Sequence, residues 1–526
     1  MKKEVSSMRK MNSLVSALMT TALVGMLAAG CGSTDNGQGS NTVVSPAGTA
    51  TAAPTTEVKP VLKVLMPYQT FDPNTDPAVK RIKEKTGYEV EYYLLPKDNA
   101  DQKLMLEMAS GGEYDIVRLT PNQFSQLAGN GSLAALDELL AKDGSNIQKQ
   151  VSDMGWKSVT TNGKRFGIPY DGGGDIDNPY GLIQSGIGVR TDVLSEMGLQ
   201  LPKDLNSFYT FLQKIKEGKN IVPLTGRAED GFNAIIGSAF GLGSSIWYEV
   251  NGQLVHRTKM PQYKDYLAFI NKLYSEGLMD KDFPINKSEN AKQKFTSGRA
   301  AAMTPAFFYD IPDLLPAVAQ NNPKAELDFI TALAGQSGKP FVSQLKQAQA
   351  YEAIPKTSKN AVHAMKFMNL RAEPDIFLST YLGERGVHFE IKDDKYYPIL
   401  PAFDELKNAK QFTGTVSAGT DFKLWQARAR KTPEMAAAYE KMNALIKKDW
   451  VHPDYTNYAT SLPEVQKYRL SLTKMETDFL VKAMVETKDL NKLLSDFAAE
   501  WDKQGGTEMT KAINVWYTEN KGAMKF

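Results

Sequence analysis

The single cysteine of the chain, Cys31, is the side chain whose position most clearly suggests chemistry. It follows a leader, residues 1–30, that starts with four basic side chains and continues as an apolar run from Leu14 to Ala29. A charged start, an apolar centre and small residues before a cleavage point are typical of a secretory signal. The sole thiol at that point predicts that Cys31 accepts a lipid. The alternative is an ordinary signal peptide with an incidental cysteine.

The segment that follows, residues 31–60, is predicted to be a flexible, lipid-anchored linker. It consists mainly of Gly, Ser, Thr, Ala, Asn and Pro and has few large apolar side chains. Such a composition buries too little surface to fold. We therefore expect a globular body on the extracellular face of the cell membrane, held there by several acyl chains, because one chain alone anchors only marginally.

Patterns that indicate catalysis or metal binding are missing from the sequence. The chain has no G-x-S-x-G, P-loop or H-E-x-x-H motif. An EF-hand-like start at Asp72 has Pro77 where that motif requires glycine, and the four histidines lack ligand spacing. We expect no catalytic residue, no metal and no cofactor. A carboxylate pair for glycoside hydrolysis remains open, because its partners meet only in space.

Composition and length place the chain among ordinary globular proteins. Of its 526 residues, 42% are hydrophobic, 23% charged and 10% aromatic. The net charge is +2 for the whole chain and becomes −1 without the leader. A nucleic-acid binder would carry a clear basic excess, so no nucleic-acid partner is expected. The body is longer than a single core usually supports, which favours two domains.

The first part of the body alternates between strand and helix patterns. Strands are predicted at residues 61–66, 88–95 and 114–119, with helices at 78–86, 101–110 and from 121 onward. This order predicts a parallel α/β sheet, in which ligands bind beyond the carboxyl ends of the strands. The rule identifies Tyr68 and Gln69 after the first strand, and Asn122 and Gln123 after the third.

Helices dominate the rest of the chain. Residues 206–217 and 263–276 place apolar side chains on one face at helical spacing. From about residue 433 the pattern is almost entirely helical, with helices predicted at 434–447, 462–485, 490–501 and 509–517. The C-terminal third is therefore expected to be helix-rich.

Six short segments occur in an order that is typical of one protein family. They are Gly131–Leu140, Asn162–Tyr170, Gly188–Gly198, Leu273–Asp280, Phe295–Met303 and Gly386–Glu390. In these segments the chain resembles the extracellular solute-binding lipoproteins of ABC importers. That family includes the maltose-binding protein, and the similarity is to its long oligosaccharide-binding group from Gram-positive bacteria. The leader with Cys31 agrees with this resemblance.

The resemblance implies an α/β, two-lobed periplasmic-binding-protein-like fold with a hinge, an interlobe cleft and a helix-rich C-terminal part. By analogy, lobe one would be residues 60–182 plus 327–358, and lobe two residues 183–326 plus 359–526. The protein would be a monomer without enzymatic activity that captures an oligosaccharide and delivers it to an ABC-transporter permease. Two alternatives stay open: a secreted glycan-degrading lipoprotein enzyme, and a binding protein for a non-sugar solute.

Candidate ligand-binding residues are aromatic side chains beside polar ones in predicted loops, since aromatic rings cover sugar faces and polar groups bind hydroxyls. Together with the strand-end residues above, they are Tyr170, Asp171, Asp175, Tyr180, Arg227, Trp247, Phe308, Tyr309, Asp310, Glu384, Arg385 and Trp425. Phe308 or Tyr309 takes, by the resemblance, the place of a stacking tryptophan. An aromatic side chain is more often part of a core than a ligand platform.

Three arginines leave the charge of the ligand open. Arg190, Arg227 and Arg385 could serve an acidic sugar such as a uronate, because arginine binds carboxylates in a bidentate way. Arg190 belongs to one of the six segments, and its alternative role is a structural ion pair with Asp192.

Overall fold

A computed structural model describes residues 58–172, 185–414, 424, 426–486 and 489–524. From Val58 onward the described chain forms one compact unit. The leader, the linker and Cys31 lie outside the described residues. Among the helices that are described, none is both long and apolar enough to cross a membrane.

The strands are given first, in chain order. They are β1 (Leu62–Met66), β2 (Val90–Leu94), β3 (Ile116–Leu119), β4 (Thr160–Thr161), β5 (Lys164–Arg165), β6 (Ile168–Gly172), β7 (Ser185–Arg190), β8 (Val222–Gly226), β9 (Trp247–Val250), β10 (Gln253–His256), β11 (Ala300–Phe307), β12 (Leu327–Ile330), β13 (Val342–Leu345), β14 (Gln347–Ala353), β15 (Phe389–Lys392), β16 (Lys395–Pro398) and β17 (Val451–Asp454).

The α-helices follow, also in chain order. They are α1 (Pro77–Thr86), α2 (Ala100–Ala109), α3 (Pro121–Gly129), α4 (Asp137–Asp143), α5 (Ser145–Gln150), α6 (Asp153–Ser158), α7 (Thr191–Met197), α8 (Leu205–Gly218), α9 (Ala234–Gly237), α10 (Pro261–Ser275), α11 (Ser288–Thr296), α12 (Ile311–Ala319), α13 (Ala361–Arg371), α14 (Pro374–Tyr381), α15 (Pro433–Ala444), α16 (Pro463–Val485), α17 (Leu490–Trp501) and α18 (Thr507–Asn520).

The first sheet contains the predicted parallel strands. Its order is β2-β1-β3-β14-β6, and β1 runs parallel to both β2 and β3. β14 is antiparallel to β3 and to β6, so β6 runs in the same direction as β3. The carboxyl ends of β1, β3 and β6 therefore lie along one edge, as the sequence predicted for the first and third strands. We call it the first edge.

The second sheet has the order β12-β7-β11-β8. β11 runs parallel to β8, while β7 is antiparallel to β11 and β12. The carboxyl ends of β8, β11 and β12 therefore lie along one edge, together with the amino end of β7. We call it the second edge. The chain leaves the first edge after β6 and enters the second edge at β7.

Two short strands lie where the chain passes between the sheets. β13 comes between β12 of the second sheet and β14 of the first, and it pairs in parallel with β17. The 3-10 helix Thr456–Ser461 then contacts α3, α6 and β14 on one side and α16 and α18 on the other. We call β13 and β17 the linking strands.

The expected lobe boundaries differ from the structure at two places. β12, expected in lobe one, pairs with β7 in the second sheet. Residues of α13 and of the 3-10 turns up to Phe412, expected in lobe two, bury apolar side chains against Tyr88 and Ile82 of the first sheet's layer. These boundaries came from analogy, and side-chain packing decides them.

The predicted helices of the middle and C-terminal parts are confirmed. In α8 the predicted apolar face, with Phe208, Phe211, Leu212 and Ile215, is buried. α10 and the helices α15 to α18 lie close to their predicted bounds. Apolar spacing located these helices, since apolar side chains that recur at helical spacing form a face that packs on the core.

Candidate functional site

Tyr68 and Gln69 lie at the first edge, directly after β1. Tyr68 is 46% exposed. Gln69 is partly buried, and its Nε2 donates to the carbonyl of Pro67 at 3.2 Å. The ring of Tyr68 is therefore available to a molecule in front of this edge.

Asn122 and Gln123 begin α3 at the same edge, but with different surroundings. Gln123 is buried; its Oε1 accepts from the Thr120 N–H at 2.9 Å, and its Nε2 donates to Asp101 Oδ1 at 2.7 Å. Together with the Thr120 hydroxyl this forms a capping box, which fixes where the helix starts. Gln123 thus positions α3, whereas Asn122 is exposed to solvent.

Tyr170 lies near the end of β6 and is buried. The Nζ of Lys410 is 5.8 Å from its ring centroid, a cation–π distance. The backbone of Asp171 pairs with that of Ala348 in β14. This part of the first edge therefore combines an aromatic ring with a positive charge.

Arg118, the residue before the last in β3, was missed by sequence reasoning. Strand register places its side chain on the same face of the sheet as Glu352 and Tyr170. It is partly exposed, and its Nη1 donates to the carbonyl of Gln411 at 2.6 Å. The available signal was an arginine inside an otherwise apolar strand.

Glu352 on this face forms an ion pair with a different arginine, Arg371. Arg371 of α13 donates from Nη2 and Nη1 to the two carboxylate oxygens of Glu352, at 2.6 and 3.2 Å. Both side chains are about 95% buried. Burial lowers the pKa of Arg118, while the nearby Glu352 acts in the opposite direction. Arg118 still stays charged at neutral pH, given how basic a guanidinium is.

Arg227 lies at the second edge, directly after β8. Its Nε donates to Asp230 Oδ2 at 2.6 Å, and its Nη1 is 3.5 Å from Glu229 Oε1. It lines a cavity of about 220 Å³ with Phe232 and Asn233 and a smaller one with Asp310. The structure thus brings Arg227 and Asp310 together, as two of the predicted residues. Phe232 and Asn233 carried no distinctive sequence signal.

The predicted residues after β11 divide between core and surface. Phe308 is 1% exposed and packs against Tyr439 of α15, with ring centroids 5.3 Å apart. Tyr309 is 47% exposed and stacks on Phe307 at 4.9 Å. Burial raises the pKa of Asp310. Tyr309 is therefore the ring of this pair that a ligand can reach, and Phe307 extends it.

Comparison with known protein families identifies the family of the chain that forms these two edges. Residues 77–386 match the model of the family described as bacterial extracellular solute-binding protein. The chain belongs to this family.

Two relatives of this solute-binding protein are named as a carbohydrate-binding protein and as a lipoprotein. The polygalacturonan/rhamnogalacturonan-binding protein YtcQ of Bacillus subtilis is 26% identical over 396 residues, which are 72% of this chain and 74% of that protein. The lipoprotein LipO of the same organism is 23% identical over 498 residues, 88% of this chain and 93% of that protein.

A solved structure has the same fold. The substrate-binding protein FusA of S. pneumoniae, in complex with kestose, aligns with a TM-score of 0.65 at 15% identity, over 88% of this chain and 100% of that one. This likeness confirms the two-lobed α/β fold. Proteins of this fold hold their solute between two lobes that move about a hinge.

Several predicted residues of the solute-binding protein lie away from the two edges. Trp247 is buried in β9 and lines a cavity of about 510 Å³ beside the linking strand β17. Glu384 and Arg385 are exposed in the turn before β15. Asp175, Tyr180, Trp425 and the side chain of Asp171 are outside the described part of the chain.

The alternative role of Arg190 is confirmed. Its Nε donates to Asp192 Oδ1 at 3.1 Å, and the pair is buried. Arg190 therefore stabilises the start of α7. Within the described ranges, no group of three or more His, Cys, Asp or Glu side chains is placed to hold a metal ion.

Proposed function

We propose that this solute-binding protein captures an oligosaccharide between its first and second edges and delivers it to the permease of an ABC importer. The observation that carries the proposal is the pair of edges itself. Each presents an exposed tyrosine beside polar or charged groups: Tyr68 on the first, and Tyr309 with Arg227 and Asp310 on the second.

The chemistry of these groups suits a sugar. An exposed ring, such as Tyr309 stacked on Phe307, offers a flat apolar surface for one face of a pyranose. Neighbouring carboxylate and guanidinium groups can bind the hydroxyls at the rim. The carbohydrates named for YtcQ and FusA support the same class of ligand.

The setting of the protein is part of the proposal. Cys31 carries the lipid that holds the body at the extracellular face of the membrane, with residues 32–57 as the tether. The protein acts as a monomer and without enzymatic activity of its own. Lobe one comprises the first sheet with α13, α14 and the turns up to Phe412, and lobe two comprises the second sheet with α15 to α18.

The test is thermal unfolding in the presence of oligosaccharides. The protein is purified in a polyoxyethylene detergent, which contains no sugar, and is mixed with neutral and acidic oligosaccharides of two to six units. A ligand at 100 times its dissociation constant stabilises the folded state by about 2.7 kcal/mol, which raises the midpoint measurably. Each mixture is then analysed for cleavage products.

The outcomes separate the three hypotheses. A higher midpoint with one glycan class and no cleavage supports an oligosaccharide-binding protein. Cleavage products would identify a glycan-degrading enzyme and contradict the proposal. No shift with any glycan, but a shift with peptides or organic acids, would make the cargo a non-sugar solute.

A further inference from the structure

Unpaired hydrogen-bond donors gather on the face of the first sheet that carries Arg118. Among the described residues, the Arg118 side chain donates one hydrogen bond, to the carbonyl of Gln411, and its other N–H groups have no protein partner there. The Tyr92 hydroxyl has no hydrogen-bond partner among the described residues, although Tyr92 is 7% exposed. The Nε of Arg371, a residue that is 5% exposed, has none either. Each of these three residues therefore has an N–H or O–H group that is free to donate, and the Tyr92 hydroxyl can also accept.

Strand register and neighbouring contacts place the three side chains on one side of the first sheet, each close to Gln411 or Phe412. Tyr92 pairs with Val64, which pairs with Ile116, and Ile116 shares its face of β3 with Arg118. The ring of Tyr92 lies 5.2 Å from that of Phe412. The carbonyl of Phe412 accepts from Arg371, and that of the preceding residue accepts from Arg118. We call Tyr92, Arg118 and Arg371 the donor cluster.

The charged groups that act on Tyr92 are Arg371, Glu352, Arg118 and Asp76, and among the described residues Arg118 has no carboxylate partner of its own. Glu352 is bound by Arg371 through both oxygens, and among the described residues no hydrogen bond or ion pair joins it to Arg118. A partly buried guanidinium with unused donors and without a carboxylate partner favours an anion beside it. Burial raises the pKa of Tyr92, so its hydroxyl keeps its proton and can donate at neutral pH.

We propose that the donor cluster binds a carboxylate of the captured oligosaccharide, so that the cargo contains a uronic acid. The planar fork of Arg118 matches the two oxygens of a carboxylate, and a neutral hydroxyl cannot replace its charge. The cluster reaches the first edge at Arg118, the residue before the last in β3, which shares its face of the sheet with Tyr170 near the end of β6. This inference rests on the proposed function, because it concerns the charge of the same cargo.

The experiment compares an acid with its uncharged form. Isothermal calorimetry measures the affinity of the detergent-purified protein for galacturonate and mannuronate trisaccharides, for their methyl esters, and for a neutral galactose trisaccharide. The esters keep the sugar's shape but lose the charge. A charged hydrogen-bonded pair that is lost on esterification should weaken binding by about 10- to 100-fold.

Two variants connect the preference to the cluster. Arg118→Gln should lower affinity for the acid by a similar factor and leave affinity for the ester unchanged. Tyr92→Phe removes only the unpaired hydroxyl, so it should fold normally and still weaken binding of the acid several-fold. Arg299→Gln is the matched control, because Arg299 is an exposed arginine whose side chain donates to the hydroxyl of Ser297.

Each result decides between the two proposals. Loss of acid binding in both variants, with ester binding kept, supports the inference. Equal affinity for acid and ester, or acid binding that survives both variants, overturns it and leaves the proposed function intact. If the unaltered protein binds neither acidic nor neutral glycans, the proposed function itself fails.

Discussion

At the scale of single residues, neighbours in sequence have opposite roles. Phe308 and Tyr309 are adjacent aromatic residues after β11, yet one is almost fully buried and the other is 47% exposed. Gln123 and Asn122 show the same contrast at the start of α3. Residue type therefore names the candidates, and the direction of each side chain separates structural from binding residues.

The contrast between Phe308 and Tyr309 can be tested with two alanine variants. Phe308→Ala should lower the free energy of unfolding by about 3 to 5 kcal/mol, since a buried ring leaves a cavity. Tyr309→Ala should leave unfolding within about 0.5 kcal/mol and weaken oligosaccharide binding instead. Chemical denaturation and calorimetry measure the two effects. Normal affinity in the Tyr309 variant would remove it from the site.

Burial of His256 should make the free energy of unfolding depend on pH. It is 4% exposed between the rings of Trp247 and Trp501, and burial lowers its pKa to about 4. The unfolded chain therefore binds this proton more readily, with a pKa near 6.5. The stability contributed by neutral His256 is complete above about pH 6.5 and is lost as the pH falls towards 4.

The variant His256→Gln isolates this effect. Between pH 7 and pH 4.5 both proteins should lose free energy of unfolding, because other groups titrate as well. The variant should lose about 2 to 3 kcal/mol less than the unaltered protein, since it has no imidazole to protonate. Urea titrations at several pH values measure the difference. Parallel pH profiles for the two proteins would show that His256 titrates normally.

At the scale of elements, the C-terminal helices are attached through a buried ion pair. Glu476 of α16 accepts from Arg257 Nε at 2.6 Å and Nη2 at 3.1 Å, and from the Tyr263 hydroxyl of α10 at 3.2 Å. Arg257 also lies over the ring of Phe232, which lines the cavity behind Arg227. The helical layer is thus connected to the second edge.

Breaking this ion pair should loosen that attachment. Glu476→Gln leaves the buried Arg257 without its counter-charge and should cost about 3 to 5 kcal/mol of unfolding free energy. The double variant Glu476→Leu with Arg257→Met removes both charges and should be closer to the unaltered protein. Denaturation of both variants tests this. A double variant less stable than the single one would show that the pair itself stabilises the fold.

At the scale of the whole molecule, the described body carries two sheets, and we propose that their strand-end edges belong to different lobes. The chain joins them after β6, and the linking strands β13 and β17 lie where it passes between the sheets again. Several connections of this kind let the lobes move about a hinge without separating. Capture and release of a solute then follow from the angle between the edges.

The proposed anchor is tested at the same scale. Cys31→Ser should shift most of the protein from the membrane fraction to the culture medium, because the serine hydroxyl does not replace the lipid-accepting thiol. Ser33→Ala, two residues away, is the control and should stay with the membrane. Immunoblots of both fractions measure the distribution. Retention of the Cys31 variant in the membrane would contradict lipidation at this residue.

The sequence by itself determined the family, the parallel strands β1 to β3 of the first sheet and the helices, because these depend on local patterns. The face formed by Phe208, Phe211 and Leu212 at helical spacing is complete within one segment, and the six ordered segments need no distant partner. Apolar periodicity and turn residues act over a few positions, so a linear reading is enough to recognise them.

Only the tertiary structure decided which side chains share a site. Tyr92, Arg118 and Arg371 are up to 279 positions apart, and register and helix packing bring them to one face. The same packing turned Phe308 and Gln123 inward and placed α13 on the first sheet. Burial and hydrogen bonding depend on partners distant in sequence, and for that reason no local pattern could assign these roles.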